Sequence, residues 1–425
     1  MTVRRGGGDH SALVATGGTR DAGVVTGRST GPVRGAPPEG PGSSVEAWAA
    51  GRRLFLDNLK VILIAAIIAV HAVLSYTDSM DLWPYDSVRE VTLSPVTETT
   101  LLIVVGPFGF MMIPLMFLVA GLLTRPSLER RGVGAYISGR LLRLGVPFAV
   151  YVLLVGPSVS YALEHPLGES TGSYGEEFLG KPPQIQMGPL WFVGVLLIFS
   201  LAYAGGVAVR RTRPARHQVP TLRASHLLLL AAAVAPASFL VRLLFPIGGE
   251  SLLSGLQLWE WPGCIAVFAL GVTGFRDGWL GAVPDRLHRQ CRTATLLAVA
   301  GLMVFMLGLG ALGGVEDVAG GWNGPSLGFA AFESVLVVFG SVWLLGVVQR
   351  HLDRPLRWIG LVTSRSAYGA FIVQELVLIG LAVALRPVPL PAEVKLLVLA
   401  SGGLAGSFAL AWLLISHVPG VARIL

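Results

Sequence analysis

Runs of apolar residues, each about 20 residues long and separated by short polar stretches, recur along most of the chain. A helix of that length crosses the hydrocarbon core of a bilayer, which is roughly 30 Å thick. The pattern therefore predicts an all-α integral membrane protein, a bundle of about ten transmembrane helices. The predicted spans cover residues 54–76, 101–124, 141–163, 189–209, 226–247, 262–280, 294–314, 328–349, 367–385 and 394–415.

The first 48 residues have a different pattern, rich in Gly, Pro, Ser, Thr and Arg with little apolar content. Such a segment buries too little apolar surface to offset the entropy of ordering its backbone. We expect residues 1–48 to form a disordered cytoplasmic tail, followed by a polytopic transmembrane domain at residues 49–425. The tail lacks a compact apolar core with a small-residue cleavage site, so a cleaved signal peptide is not expected.

Charge refines this picture, since 13% of the residues are charged, whereas a soluble protein has about 25%. Basic residues concentrate in alternate connections, for example Arg130 and Arg131, and acidic ones such as Asp78 and Glu90 lie in the others. Because Lys and Arg accumulate on the cytoplasmic side, the pattern predicts a multi-pass protein of the plasma membrane with both termini in the cytoplasm. The net charge of +7 is then a topology signal and does not indicate nucleic-acid binding.

Motifs for cofactors and metals are not found in the sequence. The two cysteines, Cys264 and Cys291, fall in a span and in a predicted cytoplasmic loop, so neither a disulfide nor a thiolate metal site is indicated. No phosphate-binding loop, dinucleotide fingerprint or paired-histidine zinc motif occurs. We therefore expect no bound cofactor and no metal.

The first predicted span carries a titratable residue, His71, inside an apolar stretch. An ionisable group at membrane depth is costly and by default indicates a functional site. Lys60 precedes it by eleven positions, and at about 100° per residue the two fall on one helix face. Asp57 lies within roughly 40° of the same line. A polar stripe therefore runs along this helix.

Counting from the predicted outer ends, His71, Arg242 and Glu333 each lie five residues inside their spans, which predicts one layer about 7 Å deep. Glu375, near the middle of its span, falls outside that layer. Arg140 joins Asp57 and Lys60 at the opposite, inner ends of the spans, and so does Arg143 three residues later.

Each of these features also has a structural interpretation. His71 could be a packing histidine, and Arg140 with Arg143 could be positive-inside anchors. Arg242 and Glu333 could form a structural buried ion pair. Trp191, at a predicted outer boundary, could belong to an aromatic belt at the membrane surface.

Five stretches together resemble the membrane acyltransferase 3 family, which includes bacterial O-antigen O-acetylases and succinyltransferases of periplasmic glucans. They are Phe-Leu-Asp-Asn-Leu-Lys at 55–60 followed by His71, Arg-Leu-Leu-Arg-Leu-Gly-Val-Pro-Phe at 140–148, Gly-Pro-Leu-Trp-Phe-Val at 188–193, Ser-Ala-Tyr-Gly-Ala-Phe-Ile-Val-Gln at 366–374 and Val-Pro-Gly-Val-Ala-Arg at 418–423. Two positions depart from the family pattern. Lys60 replaces an arginine, which loses bidentate geometry, and Gln374 replaces a histidine, which removes a titratable group.

The resemblance implies acyl transfer, with His71 as general base or transient acyl carrier and Glu333 as its orienting partner. Lys60, Arg140 and Arg143 would bind the phosphates of an acyl-CoA donor. Supporting roles would then fall to a further set, namely Asp57, Trp191, Arg242, Tyr368 and Gln374. The acceptor would be a hydroxyl of a carbohydrate or of another glycosylated or secondary-metabolite compound.

Two other classes of function are compatible with the spans and their charges. A secondary transporter would show inverted repeats with paired broken helices, and no such symmetry is apparent in the sequence. A catalytically inactive membrane scaffold would be consistent with the departures at Lys60 and Gln374. The expected partners are acyl-CoA, the hydroxylated acceptor and the lipid bilayer, and the sequence is compatible with a homo-oligomer.

Overall fold

The computed structural model describes residues 54–79, 84–164, 187–210, 221–249, 254–356 and 359–424. The predicted disordered tail, residues 1–48, lies outside these described residues. Within them the protein is all-helical, and ten helices are long and apolar enough to cross a membrane, which confirms the predicted fold class.

The ten spanning helices are labelled α1 to α10 in chain order. They are Leu54–Leu74, Pro95–Arg131, Val133–Leu163, Gly188–Val209, Ala224–Arg242, Leu258–Arg276, Asp285–Leu312, Gly324–His351, Ser364–Leu385 and Ala392–His417. A short helix, α11, follows at Val421–Ile424. Each predicted span overlaps one of these helices, and the observed helices often extend further into the polar connections.

Turn chemistry explains several helix ends. Pro95 opens α2, where its missing N–H costs no hydrogen bond. Asn323 caps α8 by accepting the Ser326 N–H at 2.7 Å. Gly132 separates α2 from α3 at φ 77°, and Gly313 ends α7 at φ 73°, which is left-handed backbone that favours glycine.

The helices form two adjoining groups. α1 packs against α9 and α10, whereas α2 packs against α6 and α8, with α5 and α7 also against α8. α3 packs along α4, whose first turn reaches α9. Three aromatic side chains join α2, α4 and α9. The ring centroid of Phe192 lies 4.8 Å from that of Phe117 and 6.3 Å from that of Phe371.

α2 and α6 cross with their backbones in direct contact. A Cβ on Gly121 would lie 2.2 Å from the Phe268 carbonyl oxygen, and a Cβ on Gly271 would lie 2.2 Å from that of Leu118. Neither position admits a side chain. Small residues at such a crossing let two backbones touch, which is how helices gain packing energy in lipid.

α3 is interrupted by two π-helical turns, Leu141–Gly145 and Tyr151–Val155. Pro147 has no N–H to offer the carbonyl of Arg143 four residues earlier, so that carbonyl is released from the helix ladder. The Tyr368 hydroxyl of α9 donates to it at 2.8 Å. π-helical turns within α-helices occur frequently at functional sites. The first of these two contains Arg143, and the second begins at Tyr151.

Candidate active site

The His71 ring is held in a defined orientation within α1. Its Nδ1 lies 2.9 Å from the Ile67 carbonyl oxygen, which accepts hydrogen bonds only. In the neutral ring Nδ1 therefore carries the hydrogen, and Nε2 carries the free lone pair. A lone pair on Nε2 is what a general base or a nucleophile requires.

Tyr85, from the connection between α1 and α2, stacks on this imidazole. The two ring centroids are 5.0 Å apart and the planes are inclined by 27°. Tyr85 is 1% exposed although it lies in a loop. The connection thus folds inward and covers the histidine.

Several polar contacts fix this connection in place. Glu98 accepts the N–H groups of Asp78 at 3.2 Å and Ser79 at 2.8 Å. Glu90 forms an ion pair with Lys395 of α10, which is 1% exposed. The connection that carries Tyr85 is therefore held on both sides of this residue, at Asp78 and Ser79 and at Glu90. These contacts keep the Tyr85 ring against His71.

Two consecutive residues of α9, Gln374 and Glu375, face the same region. Gln374 is fully buried and its amide interacts with the His71 ring, although neither amide atom has a hydrogen bond of standard geometry. Glu375 is 1% exposed, and its Oε1 accepts the Tyr151 hydroxyl at 2.5 Å. The charge of Glu375 also acts on Tyr85. The structure therefore brings Glu375 into the surroundings of the histidine, although it lies near the middle of α9 and outside the predicted layer.

The start of α4 closes one side of this cluster through Gly188. Its backbone has φ 43°, and a Cβ there would lie 2.1 Å from the Tyr151 hydroxyl and 2.3 Å from Glu375 Oε2. A side chain at this position would displace the carboxylate from Tyr151. The glycine that opens the Gly-Pro-Leu-Trp-Phe stretch is thus required by the site.

Four buried polar atoms of the cluster lack hydrogen-bond partners among the described residues. They are the Tyr85 hydroxyl, both amide atoms of Gln374 and Oε2 of Glu375. Leaving such a group unpaired costs about 1–3 kcal/mol. Together with Nε2 of His71 they form a group of donors and acceptors suited to a polar ligand.

Arg242 and Glu333 form a second buried cluster. Their side chains make a direct ion pair, with Arg242 fully buried and Glu333 6% exposed. The guanidinium also lies 5.4 Å and 5.3 Å from the ring centroids of Trp259 and Phe329. The buried ion pair that the sequence analysis left open is therefore present, whereas the depth count was wrong for Arg242, which is the last residue of α5 and does not lie five residues inside it.

Glu333 is not placed beside His71. Its interactions within the described residues are with Arg242, Glu260 and Cys264, whereas the His71 ring contacts Ile67, Tyr85 and Gln374. The shared layer of three residues is therefore divided between two clusters. A shared depth does not specify which side of its helix a residue faces.

The two arginines of α3 differ in their surroundings. Arg140 donates through Nε to the Tyr136 hydroxyl at 3.1 Å and lies over the same ring at 5.1 Å. Arg143 is exposed, and Tyr368 holds its backbone carbonyl. One guanidinium is thus fixed against the protein and the other reaches outward.

The remaining predicted residues lie along α1 and at the start of α4. Lys60 pairs with Asp57 at 2.9 Å and keeps 55% of its side chain exposed. α1 is uninterrupted, so Lys60 and His71 lie on one face three turns apart. Trp191 is 9% exposed, so it packs inside the protein and does not face lipid headgroups as an aromatic-belt residue would.

Sequence reasoning missed Tyr85, Tyr151 and Gly188 as members of the cluster. Tyr85 lies in a polar connection and Tyr151 is one of many aromatic residues in the spans, so neither carries a signal of its own. Glu375 also belongs to the cluster, and for this residue the sequence did carry a signal of function, since it is an ionisable residue within an apolar helix.

Within the described ranges, ten membrane-spanning helices hold an oriented, partly buried histidine among unpaired polar groups, and these are features of a polytopic membrane enzyme. The family model described as an acyltransferase domain matches residues 53–416, and the chain belongs to this acyltransferase 3 family. The resemblance seen in the sequence is thereby confirmed, and the protein is an acyltransferase. No curated protein and no solved structure matches the chain significantly.

Proposed function

We propose that the protein moves an acyl group from cytoplasmic acyl-CoA to a hydroxyl of a carbohydrate or of another glycosylated or secondary-metabolite acceptor. His71 is the central residue of this proposal. The observation that carries it is the Nδ1 contact with the Ile67 carbonyl, which leaves the Nε2 lone pair free beside unpaired polar groups.

The chemistry can follow either of two routes at His71. As general base, Nε2 takes the acceptor's hydroxyl proton while that oxygen bonds to the thioester carbon, the C–S bond breaks and the thiolate recovers the proton. As acyl carrier, Nε2 itself bonds to the carbonyl carbon and the thiolate leaves. The acceptor oxygen then bonds to that carbon as the C–N bond breaks, and the hydroxyl proton passes to the thiolate. General-base catalysis contributes about 10²–10⁴-fold.

Donor binding is assigned to Arg140 and Arg143, with Lys60 as an additional cation. Arg140 and Arg143 flank the start of the first π-helical turn of α3, within three residues of each other, and guanidinium groups can hold the phosphates of acyl-CoA through paired hydrogen bonds. The exposed side chain of Arg143 and the half-exposed one of Lys60 are available for such contacts. Their expected position at the cytoplasmic ends of α3 and α1 agrees with where acyl-CoA is found.

A transfer assay with labelled acetyl-CoA on membranes that contain the protein tests the function, using total extracted glycans and lipids as acceptors. We expect labelled product in membranes with the wild-type protein. Arg140→Ala and Arg143→Ala should raise the KM for acetyl-CoA with little change in kcat, since a phosphate contact is equal in ground and transition states. Each contact is worth roughly 1.5–3 kcal/mol, or about 10- to 150-fold.

The control for this experiment is Arg131→Ala, which removes an exposed arginine outside the proposed donor site. Its donor KM should equal that of the wild type. Lysine at positions 140 and 143 should restore only part of the affinity, because the ammonium lacks the planar fork. If lysine served as well as arginine and the alanine variants left the KM unchanged, the arginines would be topology anchors.

Orientation in the membrane gives a separate prediction. Thr92→Cys, in the connection between α1 and α2, should react with a membrane-impermeant maleimide added to intact cells, and Arg131→Cys should react only after the cells are opened. Cys264 and Cys291 are 1% and 0% exposed, so the native background should be low. The reverse labelling pattern would overturn the proposed cytoplasmic location of the termini.

A further inference from the structure

The Tyr85 hydroxyl is a buried donor for which the described residues supply no acceptor. Its ring is fixed by stacking on His71, and neighbouring contacts restrain the loop, among them the Ser87 hydroxyl donating to the Pro84 carbonyl at 2.7 Å. Tyr151 donates to Glu375, whereas Tyr85 makes no such bond. A buried donor without a partner, on a ring that stacks against the imidazole of His71, is suited to a group that arrives with the substrate.

Acyl transfer creates a need for such a donor. When an oxygen or nitrogen nucleophile bonds to the acyl carbon, the carbonyl oxygen becomes an oxyanion before the thiolate leaves. A hydrogen bond prepared for that oxygen lowers the energy of the transition state in particular. Arg242 also has two buried nitrogen atoms without partners among the described residues, Nε and Nη1. It lies in the other cluster, however, where its contacts are with Glu333 and two aromatic rings and not with His71.

Tyr85 is protonated under the conditions in which this role is required. Burial, and then the negative charge of Glu375, raise the pKa of the Tyr85 phenol well above its usual value. The hydroxyl therefore remains a donor at neutral pH. The Tyr85 hydroxyl keeps its proton throughout the reaction, and His71 handles the proton or acyl group that is transferred.

We propose that Tyr85 is a further catalytic residue, whose hydroxyl donates a hydrogen bond to the acyl carbonyl oxygen as His71 or the acceptor attacks the adjacent carbon. This inference rests on the proposed function of His71. It assigns the oxyanion-stabilising group to the connection between α1 and α2. The spanning helices then supply the base, and the inserted loop supplies the donor.

Tyr85→Phe tests the role because it keeps the ring stack and removes only the hydroxyl. Removing one oxyanion donor typically lowers kcat by about 10²–10³-fold, and we expect this for acetyl-CoA transfer with an unchanged donor KM. Tyr76→Phe is a matched control in the same connection. Tyr76 is also 1% exposed with an unpaired hydroxyl, and burial together with Glu90 raises its pKa to about 12. It should retain wild-type kcat.

A second measurement does not depend on the natural donor or acceptor. Diethyl pyrocarbonate acylates imidazole by forming an Nε2–C bond and expelling ethyl carbonate, with the Nδ1 proton passing to solvent, and its carbonyl oxygen develops the same negative charge. We expect His71 in the full-length protein to be modified at least about tenfold more slowly in Tyr85→Phe than in the wild type or in Tyr76→Phe, as followed by peptide mass spectrometry.

These readouts separate the two proposals. Equal rates of His71 modification in wild type and Tyr85→Phe, including no reaction in either, would overturn the assignment of Tyr85. Absence of transfer by the wild type from acetyl-CoA and from the other acyl-CoA donors supplied would instead refute the proposed function, and the modification rates would still decide whether Tyr85 assists attack at His71. A Tyr85→Phe protein with wild-type kcat would also refute its catalytic role.

Discussion

His71→Ala should lower the kcat of acyl transfer by at least about 10²–10⁴-fold, the contribution of a general base, while the protein still inserts and accumulates. Its loss removes the Nε2 lone pair, and no other titratable imidazole is seen near Tyr85 and Gln374 in the part of the chain that the structure describes. The ring is only partly buried, so its removal should leave a small defect in packing. Transfer rates should be measured at matched membrane abundance.

A matched control exists in His351, at the end of α8. Its Nδ1 also lies 2.9 Å from the carbonyl four residues earlier, that of Val347, but the side chain is exposed. His351→Ala should therefore have wild-type kcat. If His71→Ala also turned over at the wild-type rate, the central role of His71 would be refuted and its contact with Ile67 would be packing alone.

Arg242→Met should destabilise the protein by about 3–5 kcal/mol, because it leaves the Glu333 carboxylate buried without its partner. The unfolding equilibrium of the purified protein, measured by denaturant titration in detergent, provides the test. Replacing both residues, as Arg242→Met with Glu333→Leu, should recover much of the loss, since a buried ion pair can be exchanged for apolar groups at little cost.

The exposed pair of Arg125 and Glu129, 2.8 Å apart on one helix face, is the comparison for this variant. Glu129→Gln should change stability by no more than about 1 kcal/mol. A normal stability of Arg242→Met combined with lost transfer would contradict a structural role and place the Arg242–Glu333 cluster in the chemistry.

The length of the apolar runs was enough to predict the spans, because every helix that crosses a bilayer needs about 20 apolar residues. Arg242 and Glu333 pair as the ion-pair interpretation expects, since an unpaired charge in lipid must find an opposite charge, but the depth count was wrong for Arg242, which ends its helix. The same count failed for His71 and Glu333. Helices at the same depth can be neighbours or be separated by others, and this arrangement depends on which faces pack.

The surroundings of His71 could not be predicted for a different physical reason. Tyr85 reaches the ring only because its loop folds inward, and that fold depends on contacts across the chain, such as Glu90 with Lys395. Such contacts follow no period along the sequence. Glu375 meets Tyr151 through the same kind of long-range approach, with Gly188 providing the space.

The π-helical turns of α3 have a consequence for the length of this helix. In each, an N–H bonds five residues back, from Val146 to Leu141 and from Gly156 to Tyr151, which amounts to one residue inserted into an α-helical turn. Deleting one residue from either turn would therefore restore a regular α-helical turn and leave the two halves of α3 close to their present orientation. The π-helical turns thus let α3 lose a residue that, if deleted from a regular helix, would rotate the two halves by about 100° relative to each other.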